Sequence, residues 1–130
     1  MKRLFLFLTI MSASILFGCN SDKRNKFVGG ELTVYYFDKS EAEIAKSIAF
    51  FWKENELLTG RKQDLQVRKD NNQFTVSMIA TEPKKASMIT IDEVQLLAQL
   101  KKKLYVEVFK QEAFNLEICD GSFEAIYTVE

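Results

Sequence analysis

The chain of 130 residues contains no histidine at all. That absence removes the commonest general base, the commonest zinc ligand and the usual near-neutral proton switch. Cysteine occurs only at Cys19 and Cys119, which is too few for a disulfide framework. With one proline, Pro83, and five glycines, the composition is not that of a low-complexity chain. Charge of one sign is also missing: 18 Lys+Arg stand against 18 Asp+Glu, with no basic excess of the kind a nucleic-acid partner requires. No Gly-rich phosphate loop, Ser-x-x-Lys, Gly-x-Ser-x-Gly or Asp-x-Asp-x-Asp-Gly pattern occurs. The expectation is therefore no catalytic residue, no metal and no cofactor.

Long hydrophobic runs are scarce too. The longest uncharged apolar run, Leu4 to Phe17, has fourteen residues. As a helix it covers about 21 Å at ~1.5 Å per residue, short of the roughly 30 Å of a bilayer core. Lys2 and Arg3 precede it and the small residue Gly18 follows it, the layout of a secretory signal.

Leu16-Phe17-Gly18-Cys19 resembles the lipobox of bacterial lipoproteins. The resemblance implies cleavage before Cys19, diacylation of its thiol and acylation of its new amino terminus. Phe17 is bulkier than the residue usual at that place in the family. Two or more acyl chains anchor stably where one does not. The implied location is a bacterial cell membrane, with the membrane as a partner through acylated Cys19. Asn20 is not the aspartate that retains such proteins in the inner membrane of enteric-type bacteria, which points to the outer membrane in a Gram-negative source. Acylation also takes Cys19 away from Cys119 as a disulfide partner.

Removal of residues 1–18 leaves 112 residues carrying a net charge of −2, enough for one domain. Residues 19–30 read as a flexible tether, polar and aperiodic over Asn20 to Lys26 and punctuated by Gly29-Gly30; residues 31–130 read as a single α+β domain. Leu32 to Phe37 is β-branched and aromatic, hence a strand. Ser40-Glu41-Ala42-Glu43 has capping-box spacing, an apolar stripe through Ile44, Ile48, Phe51, Trp52 and Leu58 gives a helix, and Gly60 would cap its end. Residues 65–68 and 74–78 alternate around Asp70-Asn71-Asn72-Gln73, which makes a hairpin.

The order then recurs. Ala86 to Ile89 would be a short strand, Thr90-Ile91-Asp92-Glu93 a second capping box, Val94 to Val108 a second helix, and 114–118 and 123–129 a hairpin closed at Asp120-Gly121. Laying Phe74 on Phe123 also lays Val67 on Leu116 and Ile48 on Leu97, so two β-α-β-β units of about 49 residues are expected. They give a two-layer sandwich with both helices on one face of an antiparallel sheet, ferredoxin-like with one extra strand.

Most charged clusters have a structural explanation. Asp38, Glu41 and Glu43 suit a helix N-terminus, Lys101-Lys102-Lys103 suits the end of one, and Glu54 and Glu56 do not face each other on a helix. Cys119, beside Asp120 and without a histidine, is a poor nucleophile. Alternation places Tyr35, Phe37, Arg68 and Ile126 on the sheet face away from the helices, an aromatic and arginine surface suited to a partner. The expected function is a lipid-anchored envelope domain that binds a partner, a protein of the envelope, without catalysis. The alternative is a small carboxylate-based hydrolase acting on an envelope polymer, which needs two carboxylates converging in one pocket.

Overall fold

The computed structural model describes residues 24–80 and 88–130. Six strands form one sheet in sequence order: β1 (Asn25–Gly29), β2 (Leu32–Tyr36), β3 (Gln63–Asp70), β4 (Gln73–Ile79), β5 (Phe114–Cys119) and β6 (Ala125–Thr128). Helix α1 (Lys39–Glu54) joins β2 to β3 and helix α2 (Ile91–Glu107) lies between β4 and β5. The α+β two-layer architecture is as expected. In its finer arrangement the sheet is mixed and not antiparallel: β2–β3 and β4–β5 are parallel pairs, and the three hairpins are antiparallel. The cause is the connection length. A helix returns the chain to the end it left, so the strand after it runs parallel to the strand before it. Each helix here links adjacent strands, so no strand is interleaved as in a ferredoxin-like split unit.

Two boundaries move accordingly. Asn25–Gly29, placed in the tether, form the edge strand β1, with Lys26 opposite Tyr35 and Val28 opposite Thr33. The expected strand at 86–89 is not found among its described residues: Met88 lies in a 3₁₀ turn and Ile89 is in no strand, while residues 86–87 lie outside the described ones. The place beside β5 that this strand would fill is taken by β4.

Local chemistry sets the helix ends. The N-cap of α1 is Asp38, whose Oδ1 accepts from the Ser40 N–H at 2.9 Å, and not Ser40 itself. Its C-terminus is a Schellman turn: Leu57 N–H donates to Trp52 O (2.9 Å), Glu56 N–H to Lys53 O (3.2 Å), and Glu56 takes φ 56°. Gly60, at φ 81°, sits farther along in the loop and does not cap the helix. The capping box of α2 is formed as expected by Thr90 and Glu93.

The core lies between the helices and one face of the sheet. Val34, Leu65, Val67, Val76 and Leu116 alternate inward and meet Ile48, Trp52 and Leu104. At one end, Phe109 stacks on Phe114 with ring centroids 4.1 Å apart and tilts against Phe74 at 5.6 Å. At the other, Trp52 Nε1–H donates to Gln63 Oε1 (3.0 Å), and Gln63 in turn donates to Leu57 O (3.0 Å). A buried indole thus keeps a polar partner. α2 is less deeply set: Leu104 is its one buried residue, while Ile91, Leu96 and Val106 are exposed.

Candidate functional site

Two surfaces compete as the site. The first is the sheet face away from the helices, where the sequence places Tyr35, Phe37, Arg68 and Ile126. The four do not form one open patch. Tyr35 is covered: the Arg24 guanidinium lies 4.5 Å from its ring centroid and Phe123 meets it edge-on at 6.0 Å. Arg24 also donates to Gln66 Oε1 (3.3 Å). Phe123, expected to open the 123–129 strand, lies instead in the β5–β6 connection at residues 120–124, where it takes φ 63° and reaches this face. The Asp120-Gly121 turn is therefore not a two-residue one. The Asp120 carboxylate accepts from Ser122 N–H, Ser122 Oγ–H and Glu124 N–H at 2.8–3.0 Å, which stabilises a longer loop.

Phe37 is exposed (42 %) just beyond β2. Arg68, on β3, has Nη2 3.9 Å from Glu117 and Nε 3.5 Å from Asp70; the latter is close enough for an ion pair but not aligned for a hydrogen bond. Ile126 is the extra residue of a β-bulge, since Ile118 opposes Tyr127 and Cys119 opposes Ala125. Four strand spacings separate β2 from β6, roughly 19 Å. Between them Gln66, Thr75 and Ser77 are buried. Phe37 alone of the four aligns with the expected open surface.

The other candidate groups are committed locally. Glu41, grouped with Asp38 and Glu43 at the helix start, is buried (3 % exposed) and bridges two elements: Oε2 accepts from Phe37 N–H (2.7 Å) and Oε1 from Lys69 N–H (3.2 Å). The Ser40 side chain, followed by backbone N–H groups, holds the Asp38 carboxyl below its ordinary range; Glu124 and Ser122 do the same for Asp120. Lys101 Nζ donates to Val129 O (2.9 Å) and Lys103 Nζ to Asn55 Oδ1 (3.4 Å), so two of the three lysines tie α2 to its neighbours. Cys119 is buried, and burial raises its thiol pKa, with Ser77 opposing and the Glu117 charge reinforcing the shift. Among the described residues no group of three His, Cys, Asp or Glu could hold a metal ion, and no helix is long and apolar enough to cross a membrane.

The second surface is a cleft of about 530 Å³ where the N-terminal half of α2 stands off the sheet. Its floor is apolar, from Leu65 on β3, Met78 on β4 and Ile118 on β5, and Leu96, Leu97 and Ile89 form the opposite wall. Arg61 and Lys62 stand at its mouth, on the loop that enters β3. Its volume lies within the ~300–1,000 Å³ of small-molecule sites. Sequence reasoning passed over it. The available signal was Ile91 and Leu96, apolar residues off the Val94-Leu97-Leu104 stripe that have no core to enter.

Residues 27–130 match the model of the AF_1994_N family, described as a family N-terminal domain. The chain belongs to this family. The matched stretch begins inside β1 and takes in both helices, the remaining strands and the whole cleft. No curated protein and no solved structure matches the chain.

Proposed function

We propose that the chain is a lipid-anchored protein of the bacterial cell envelope whose single α+β domain binds a partner without catalysing a reaction. The observation that carries the anchor is Leu16-Phe17-Gly18-Cys19 after a basic start and an apolar run of fourteen residues. The binding role is supported by the concave, largely apolar cleft beside α2. It is further supported by the fates of the acids a hydrolase would need. Asp38, Glu41, Glu93 and Asp120 all accept backbone N–H bonds, which positions them as caps and turn locks.

The test of the anchor is intact mass and the fractionation of the protein made in a bacterial host. The mature chain is expected to begin at an acylated Cys19 and to stay with membranes through a high-salt wash. Cys19→Ala is expected to abolish the acyl mass and change the fractionation. A chain retaining an unmodified Met1 refutes it. The binding role is tested by Leu96→Glu at the lip of the cleft, a side chain 64 % exposed and so replaceable without unfolding the domain. Recovery of an envelope ligand should fall, and undiminished recovery refutes the cleft as the site.

A further inference from the structure

We infer that the cleft beside α2 takes a single-chain anionic amphiphile, a long-chain carboxylate, with its chain on the floor and its head at Arg61 and Lys62. This rests on the reading of the cleft as the binding site and not on the lipid anchor. Among the described residues the floor supplies Leu65, Met78 and Ile118, with Leu97 facing them from the opposite wall. A hydrocarbon chain there replaces water on both surfaces, which is favourable in proportion to the apolar area covered. Charge decides which end stays at the mouth. Arg61 and Lys62 are adjacent and exposed, and neither has a hydrogen bond or ion pair with any described residue. Two acids line the same space. Glu93 is turned back on the helix start, accepting from Thr90 N–H at 2.9 Å. Asp64 alternates with the inward-facing Leu65, which places its side chain on the other face of the sheet, where Oδ1 is buried without a hydrogen-bond partner among the described residues. The mouth is thus cationic and the interior apolar, the polarity of a carboxylate amphiphile and the reverse of an alkylammonium one.

The experiment is photo-crosslinking of the full chain, held in zwitterionic phosphatidylcholine vesicles, with dodecanoate carrying a diazirine near its methyl end. Labelled residues are mapped by mass spectrometry. The label is expected on the segments holding Leu65, Met78 and residues 89–97. Dodecanol and dodecylamine carrying the same diazirine should label these segments less. Arg61→Glu with Lys62→Glu should cut the dodecanoate label about tenfold, the scale set by two partly exposed ion pairs, and Leu96→Glu should remove it. Circular dichroism of each variant confirms that the fold is kept. Label absent from these segments, or spread evenly over the domain, overturns the inference and the cleft reading together. Equal labelling by the alcohol, or indifference to charge reversal, overturns the carboxylate and leaves the cleft as an apolar site. Competition by phosphatidylglycerol vesicles as effective as that by free dodecanoate identifies a lipid surface as the occupant and also overturns the inference.

Discussion

Glu41 offers the sharpest test of how this fold is held together. It is the one buried acid among the described residues, and its two oxygens satisfy backbone donors from different elements: Phe37, just after β2, and Lys69, near the end of β3. Glu41→Ala leaves both N–H groups without an acceptor. Each orphaned buried donor costs about 1–3 kcal/mol. Phe37 is partly exposed and water can re-satisfy that end, so the expected total is near 3 kcal/mol, a large part of the ~5–15 kcal/mol of an ordinary domain. For a domain of this size that corresponds to a fall of about 15 °C in Tm. Glu41→Gln keeps one acceptor but turns an amide N–H₂ towards a backbone donor, and an intermediate loss of about 2 kcal/mol is expected. The assay is urea unfolding followed by the fluorescence of Trp52, which is 2 % exposed in the folded chain. The midpoint should shift with the slope unchanged. The control is Glu43→Ala, the acid that capping-box spacing favours but which stands exposed; it should change stability by less than about 0.5 kcal/mol. Equal costs at Glu41 and Glu43, or a Glu41→Gln variant as stable as the parent, would refute this account.

Glu56 holds a left-handed φ of 56° at the end of α1, so Glu56→Gly should stabilise the domain by about 0.5–1 kcal/mol; a loss in urea unfolding would show that its side chain matters more than its backbone. The carboxyls of Asp38 and Asp120 are held below their ordinary 3.8, so their contribution to stability is present above that value and is lost as pH falls through their lower folded values. Asp38→Asn with Asp120→Asn should flatten the dependence of unfolding free energy on pH below about 4, and an unchanged slope there would count against both hydrogen-bond sets. Cys119 is buried with a raised thiol pKa, so a disulfide reagent at pH 8 should modify it only after urea is added; rapid modification of the folded Cys19→Ala chain would contradict its burial.

Elements with a strong periodic or capping signal were legible in the sequence. The two helices, the 63–79 hairpin and the Thr90-Glu93 box follow from side-chain spacing, because each depends on residues within a few positions of one another. What failed was decided by distant partners. Asn25–Gly29 has no strand signal of its own and becomes β1 because β2 offers an unpaired edge. Asp38 rather than Ser40 caps α1, and Glu41, in the helix's first turn, accepts instead from Phe37 and from Lys69, 28 residues distant. Phe123 falls in the loop and not in the strand because the Asp120 side chain holds a longer loop than Asp-Gly suggests. Parallel pairing follows from the placement of the crossovers, which alternation cannot report. The cleft is the extreme case. It exists because α2 docks firmly at Leu104 and stands away at Leu96, a difference in packing along one helix.

Placement of the tether relates the anchor to the cleft. Arg24 is fixed against Tyr35, Phe123 and Gln66, and Cys19, the proposed acylation site, is five residues away in sequence, a reach of at most about 18 Å. Asn25 opposes Tyr36, at the end of β2 that leads into α1. The cleft opens at the other end, where β3 begins at Gln63 and β4 finishes at Ile79. Gln63 opposes Leu32, and Asn25 opposes Tyr36 four residues farther along β2, so the two levels are about 13 Å apart along the sheet at ~3.3 Å per residue. The side chain of Arg24 and the cleft also lie on opposite faces of the sheet. If Cys19 is acylated as proposed, so short a link would favour the Arg24–Tyr35–Phe123 face towards the lipid and the cleft mouth towards the aqueous side. A free amphiphile can reach Arg61 and Lys62 there. On the proposed anchor a bilayer headgroup would meet the opposite face, which is why phosphatidylglycerol vesicles should compete poorly with dodecanoate.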